Sequence, residues 1–139
     1  MEHLAILSKK LKLLDKIISG EKKIESRWYK FKKTPYQNIS IEEFIYFKEA
    51  GDPVRFRARV DKVLFFENLN EDKIKEILSK YNHEICAPLS YAEEIKDKKF
   101  CTLIFIKEIE KIEPFNIDKK GFGLMSAWIS LENIKQIKK

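Results

Sequence analysis

The stretch SGEKKIESRW, residues 19–28, places five charged side chains directly before a bulky aromatic residue. In an extended chain, successive side chains point to opposite faces. Glu25 and Arg27 would therefore share one face, and Trp28 would lie on the other, where we expect it to pack in the core. Gly20 follows an apolar helical stretch, at a position where a left-handed residue commonly ends a helix. The pattern predicts a helix that leads into a strand with a carboxylate beside a guanidinium.

Strand and helix patterns cover most of the chain outside this stretch. HLAILS (3–8) predicts a first strand, and the stripe of Leu11, Leu14 and Ile18 predicts a helix that ends at Gly20. Alternating or β-branched runs predict further strands over 23–31, 42–50, 54–68, 100–115 and around 125–129. One more helix is predicted over 70–82, with an Asn N-cap, and another within 88–99. Together they predict a single α+β domain over 1–139, built on a small, mostly antiparallel β-barrel with flanking helices.

The charge balance favours an anionic partner. The net charge of +6 and the pI near 9.2 favour contact with polyanions such as nucleic acid. A surface rich in Lys, Glu and Ile is equally typical of a heat-adapted or AT-rich organism. No charged leader opens the sequence, and no apolar run approaches the ~20 residues that span a bilayer. We therefore expect a cytoplasmic protein that does not contact membranes.

Cysteines and histidines give no sign of a metal centre. Cys86 and Cys101 lack the spacing of a zinc or redox pair, and we expect both to be buried thiols. His3 and His83 are isolated from other potential ligands in the sequence. No metal and no cofactor are expected.

The segment 20–27 reads G-E-K-K-I-E-S-R and resembles the pattern G-x-K-x-x-E-x-R of the ASCH domain family, a branch of the PUA-like fold. In that family the motif follows the first helix and enters the next strand, and its Arg is often followed by Trp, as Arg27 is by Trp28. IYFKEAGDP, RARVDKVLFF and FNIDKKGFGLMSAW look like the remaining barrel strands. The resemblance implies a barrel with a cleft beside the first helix, lined by Lys22, Glu25 and Arg27. It also implies a protein that binds RNA or a modified nucleoside.

The resemblance leaves an enzyme as the alternative. One bacterial branch of the family is an amidohydrolase acting on acetylated cytidine, and ribonuclease activity has been attributed to other members. The amidohydrolases use a Lys with a Thr three positions later, where this chain has Glu25, and their downstream Glu could be Glu67, Glu71 or Glu76. If this protein is an enzyme, Lys22 and Glu25 would act as its general acid–base pair.

Each cleft residue has an expected role. Arg27 would bind a phosphate or carboxylate through its free edge, Glu25 would accept a hydrogen bond from a base, and Lys22 would add a mobile charge for a phosphate. The alternative is an exposed ion pair on a strand face, which contributes only ~0 to 1 kcal/mol.

Two further groups could contact nucleic acid. Arg55, Arg57 and Arg59 alternate along one strand at a step of about 7 Å, which suits successive phosphates of an extended strand, and we include Arg57 among the ligand-binding candidates. The alternative is the polar face of a half-exposed strand. Tyr46 and Trp128 are the candidate base-stacking residues, with Trp128 expected in the wall of the cleft.

Overall fold

The computed structural model describes residues 1–88, 90–119, 121–123 and 125–139. Leu89, which falls in the predicted second helix, and Lys120 and Leu124, which fall in the predicted last barrel segment, lie outside the described residues. The elements in chain order are β1 (Glu2–Leu7), α1 (Leu13–Ser19), β2 (Ile24–Tyr29), β3 (Phe44–Glu49), β4 (Val54–Phe66), α2 (Glu71–Ile85), α3 (Tyr91–Glu94), β5 (Phe100–Phe115), β6 (Trp128–Leu131) and a 3-10 turn (Ile134–Ile137).

The six strands form one mixed sheet in the order β2-β5-β4-β3-β1-β6. Only the β1–β3 pair is parallel among these strands, so the sheet is mostly antiparallel, as predicted. The long antiparallel β4–β5 pair contains three register shifts, and such bulges bend and twist a sheet. The sheet curls into a half-barrel, and Arg27 of β2 donates a hydrogen bond to the carbonyl of Ala127, just before β6, at 3.3 Å. The two outer edges therefore approach each other.

Three apolar clusters hold the elements together. The first lies on one face of the sheet and includes Leu14 and Ile17 of α1. The second packs Ile74 and Leu78 of α2 against β2 and β5, and the third lies beneath the 3-10 turn. Caps fix both longer helices: Gly20 ends α1 at φ 85°, and the Asn70 side chain accepts a hydrogen bond from the N–H of Lys73 at 2.8 Å. Both predicted caps are confirmed.

The first helix is shorter than predicted, and its buried stripe is different. Leu11 and Ile18 are 48% and 40% exposed, whereas Leu14 and Ile17 are buried. The cause is a turn before the helix, in which Lys12 adopts a left-handed conformation at φ 54°. The helix therefore begins at Leu13, and the three-residue step from Leu14 to Ile17 faces the core.

Two other expectations are corrected. The last strand runs from Trp128 to Leu131 instead of 125–129, because these four residues pair with Glu2–Ala5 of β1, and Met125 is 95% exposed. Cys101 is buried as predicted, but Cys86 is only half-buried, because it ends α2 at the surface. Among the described residues, no helix has the length and apolar character needed to cross a bilayer.

Candidate ligand-binding cleft

A cleft of about 370 Å³ opens along β2, the strand at one edge of the sheet. Its walls come from β2, from the end of β1, from the chain before α1, from the segment between Ile85 and Glu94, and from Ala127. The cleft therefore occupies the gap where the curled sheet does not close. The exposed side chain of Leu11 forms part of this wall.

Lys22 lies at the inner end of the cleft and is almost completely buried. Its Nζ donates to the backbone carbonyls of Ile24 and Ile85, each at 2.7 Å, and lies 3.5 Å from Oε1 of Glu25. An ammonium group has three N–H donors, so all three have a partner. Burial lowers the pKa of Lys22, and the Glu25 charge opposes that effect. The expectation that Lys22 adds a mobile charge for a phosphate is therefore wrong, because these contacts fix its ammonium group in place.

Glu25 joins the two cations. Its Oε1 accepts from the N–H of Ser26 and its Oε2 from a guanidinium N–H of Arg27, both at 3.1 Å. Burial acts to raise the pKa of Glu25, but the charges of Arg27 and Lys22 outweigh burial, and the pKa lies below its usual value. Because an ionised carboxylate accepts about four hydrogen bonds, Glu25 keeps acceptor capacity. The cluster of Lys22, Glu25 and Arg27 carries a net charge of +1.

Arg27 is held from behind by Trp128. The guanidinium carbon lies 5.1 Å from the centre of the indole ring, which is a cation–π distance. The indole N–H donates to Oγ of Ser130 at 3.0 Å, and the ring of His3 lies 5.6 Å away. Trp128 is only 6% exposed. It therefore supports Arg27 instead of offering a free face to a base, which corrects its predicted role.

Several residues that line the cleft were not predicted as site residues, among them Tyr91, Trp28 and Ser26. Tyr91 of α3 lies against β2 in the cleft wall. Burial raises the pKa of its hydroxyl to about 12, and the nearby charge of Glu25 adds to this rise. A hydrogen bond to Ser26 acts in the opposite direction. Trp28 is buried as predicted, yet it also lines the cleft, and its indole N–H has no hydrogen-bond partner among the described residues. No local pattern marks Tyr91, because α3 reaches β2 only through tertiary packing.

Tyr46 and Arg57 lie elsewhere. Tyr46 is 6% exposed and belongs to the third apolar cluster, where its hydroxyl accepts from Arg57 at 3.2 Å. Arg57 also pairs with Glu110 and lies 4.1 Å over the ring of Phe44. Since β3 and β4 are separated from β2 by β5, the structure does not bring either residue to the cleft.

The arginine row on β4 is paired with acids. Arg55 lies 3.5 Å from a carboxylate oxygen of Glu49, and Arg59 lies 3.7 Å from Glu108. The register shift between Arg57 and Arg59 places its extra residue on β5, beside Glu108. These contacts favour the polar face of a half-exposed strand over a free track for phosphates.

None of the three candidates for the downstream Glu of the amidohydrolase pattern lies in the cleft. Glu67, Glu71 and Glu76 do not line the cleft, and the second carboxylate that does is Glu94 of α3. In the described parts of the chain, no three metal-ligating side chains come together.

No model of a protein family matches the sequence, and no curated protein matches it. Solved structures do match. The ASCH protein of Zymomonas mobilis superimposes with a TM-score of 0.71 over 97% of this chain and 90% of its own, at 16% sequence identity. Its Tyr-to-Phe and Ser-to-Ala variants give TM-scores of 0.71 and 0.70, also at 16% identity, and cover 97% of this chain and 93% and 91% of their own.

The chain has an ASCH-type fold. The predicted fold class, an α+β architecture on a curled, mostly antiparallel sheet, is confirmed by this likeness. Within the ASCH-type fold, the motif residues Lys22, Glu25 and Arg27 meet in one buried cluster beside the cleft.

Proposed function

We propose that this protein binds RNA or a modified nucleoside in the cleft along β2. The observation that supports the proposal is the buried cluster of Lys22, Glu25 and Arg27 in the wall of a recess of about 370 Å³. Small-molecule sites commonly measure about 300 to 1,000 Å³, so one base with its ribose is an appropriate guest. The net charge of +1 favours an anionic or electron-rich ligand.

The roles within the cluster follow from its hydrogen bonds. Arg27 uses one guanidinium N–H for Ala127 and one for Glu25, which leaves further donors for a phosphate or a base carbonyl. Glu25 accepts from an exocyclic amine or a ring N–H. Lys22 keeps Glu25 ionised without touching the ligand. The neutral hydroxyl of Tyr91 adds a donor at the wall.

Calorimetric titration tests the proposal. The wild-type protein is titrated with the four nucleosides, with acetylated cytidine and with short single-stranded RNA. Arg27→Gln should weaken binding of the best ligand by about tenfold or more, because a hydrogen bond to a charged group contributes about 1.5 to 3 kcal/mol. Arg59→Gln, an arginine outside the cleft, should bind like wild type. Equal affinity of both variants and wild type, or no binding of any ligand, would refute the proposal.

An enzyme of the same fold is the second candidate. An ionised carboxylate and an ammonium group of lowered pKa lie 3.5 Å apart in the cleft wall, an arrangement that can serve acid–base chemistry. Incubation with acetylated cytidine and with single-stranded RNA should then give turnover that disappears in Glu25→Gln, provided that circular dichroism shows the variant folded. Retained binding without turnover in the wild-type protein would favour the binding role.

A further inference from the structure

The segment Lys30–Lys33, which reads K-F-K-K, follows β2 directly and displays an aromatic ring to solvent. Phe31 is 79% exposed, compared with 37% for Phe65 and 42% for Phe122. Proteins that bind single-stranded nucleic acid combine positive charge with exposed aromatic rings on which bases stack. We call residues 30–33 the basic–aromatic loop.

The basic–aromatic loop is anchored on both sides of Phe31. Before it, Nζ of Lys30 lies 2.9 Å from a carboxylate oxygen of Asp97. After it, Nζ of Lys33 lies 5.3 Å from the centre of the Tyr29 ring. A few residues further on, Tyr36 is buried against the rings of Phe65 and Phe100, at 5.4 and 5.1 Å. These contacts restrain the segment that carries the exposed ring, and such restraint lowers the entropy cost of binding.

The charges beside Phe31 are positive. Lys32 and Lys33 are exposed, and neither has an acidic partner among the described residues, whereas the charge of Lys30 is matched by Asp97. An exposed ring followed directly by two cations that have no acidic partner among the described residues suits a ligand with alternating phosphates and bases. The loop also adjoins the cleft, since Tyr29 lines it and two residues span at most about 7 Å.

We propose that the basic–aromatic loop is a second contact for single-stranded RNA. Phe31 stacks on the base next to the one held in the cleft, and Lys32 and Lys33 contact the phosphates on either side. This inference rests on the proposed function and narrows it: the ligand is a polynucleotide strand, and a free nucleoside occupies only part of the site.

Phe31 variants provide the sharpest test, measured by fluorescence anisotropy with a labelled, short single-stranded RNA. Phe31→Ala and Phe31→Leu should each weaken RNA binding about fivefold or more, while Phe31→Trp should retain it, because only a ring can stack on a base. Leu is the matched control for a purely apolar contact. All three variants should bind a single nucleoside like wild type, since Phe31 lies outside the cleft.

The two lysines give an independent readout. Lys32→Ala combined with Lys33→Ala should reduce the slope of the logarithm of the binding constant against the logarithm of salt concentration by about 0.7 for each phosphate that the loop no longer neutralises. Lys135→Ala combined with Lys139→Ala removes the same charge near the 3-10 turn and should change this slope much less.

The outcomes separate the two proposals. If nucleosides bind and RNA binds no more tightly, or if RNA affinity is unchanged in Phe31→Ala, the loop proposal fails and the cleft proposal stands. If Phe31→Leu keeps full RNA affinity, the contact with RNA needs only an apolar side chain, which overturns the stacking role. If neither nucleosides nor RNA bind, both proposals fail.

Discussion

At the scale of single residues, Glu25 keeps its charge inside the protein because two cations face it. The carboxylate is 4% exposed, and its oxygens lie 3.1 Å from Arg27 and 3.5 Å from Lys22. A buried ion pair gains little over an apolar core, but removal of one partner leaves the other charge buried and uncompensated. Loss of Glu25 would destabilise Lys22 most, because Lys22 is only 3% exposed.

Substitution of Glu25 should therefore destabilise the fold. Glu25→Gln should lower the free energy of unfolding by about 3 to 5 kcal/mol, because Lys22 and Arg27 would remain without their counter-charge. Urea denaturation followed by circular dichroism measures this change. The matched control is Glu110→Gln, which removes the half-exposed partner of Arg57 and should cost less than about 1 kcal/mol. Similar costs for the two variants would contradict a buried, coupled cluster.

The pH dependence of stability should carry the signature of Glu25. Its pKa in the folded protein lies below the ordinary value of 4.5, so the folded state holds this proton less tightly than the unfolded chain. The resulting stabilisation is complete above the ordinary carboxyl pKa and is lost as the pH falls towards the folded pKa. Between about pH 6 and pH 3, the free energy of unfolding should fall more steeply in wild type than in Glu25→Gln. Parallel curves from urea titrations would show that Glu25 is not held ionised.

At the scale of elements, the open edge of β2 is capped by its own neighbours. Backbone groups of alternate residues in β2 face away from β5. Among these, the carbonyl of Ile24 accepts from the side chain of Lys22, and the N–H of Ser26 donates to the side chain of Glu25. The end of α2 completes this arrangement, because the carbonyl of Ile85 also accepts from Lys22. The charged motif thus protects a strand edge that would otherwise present unpaired backbone groups.

The end of α2 provides a test at this scale. Cys86 ends the helix in a left-handed conformation at φ 62°, which a side chain with a Cβ adopts at a cost. Cys86→Gly should raise the free energy of unfolding by about 1 kcal/mol, while Cys86→Val should lower it, since a β-branched residue is disfavoured at positive φ. Thermal and urea unfolding of the two variants measure the difference. A more stable Val variant would contradict the described helix end.

The limits of the sequence interpretation follow from the range of each interaction. The alternation that places Glu25 and Arg27 on one face is a property of neighbouring residues, so it could be predicted. The immobilisation of Lys22 could not, because its partner Ile85 lies 63 positions away in the chain. The alternating row that includes Arg57 predicted a phosphate-binding surface. The acid that neutralises Arg57, Glu110, comes from another strand and could not be predicted from this local pattern. Local periodicity predicts which side chains share a face of a strand. Contacts between distant parts of the chain decide which of their charges remain available to a ligand.

At the scale of the whole molecule, incomplete closure of the barrel produces the cleft. Bulges in β4 and β5 curl the sheet, α1 covers one of its faces, and α2 covers the other face at β2 and β5. The gap between the outer edges is bridged only in part, by the hydrogen bond from Arg27 to Ala127. The result is a recess with buried charges in its wall and a basic–aromatic loop at one end.

The two tryptophans of the chain report on this recess from different positions. The indole N–H of Trp28 faces no partner among the described residues, whereas that of Trp128 already donates to Ser130. Because these environments differ, we expect the two indole N–H groups to give separate resonances in a proton–nitrogen correlation spectrum of labelled protein.

The most direct measurement is a titration of ¹⁵N-labelled protein with nucleosides and with short single-stranded RNA, followed through these spectra. Binding in the cleft should shift the indole N–H of Trp28 and the backbone amides of Ser26, Arg27 and Tyr91, and should shift the indole N–H of Trp128 much less. Shifts confined to the Arg57 face of β3 and β4, or unchanged spectra throughout the titration, would contradict the assignment of the cleft as the ligand site.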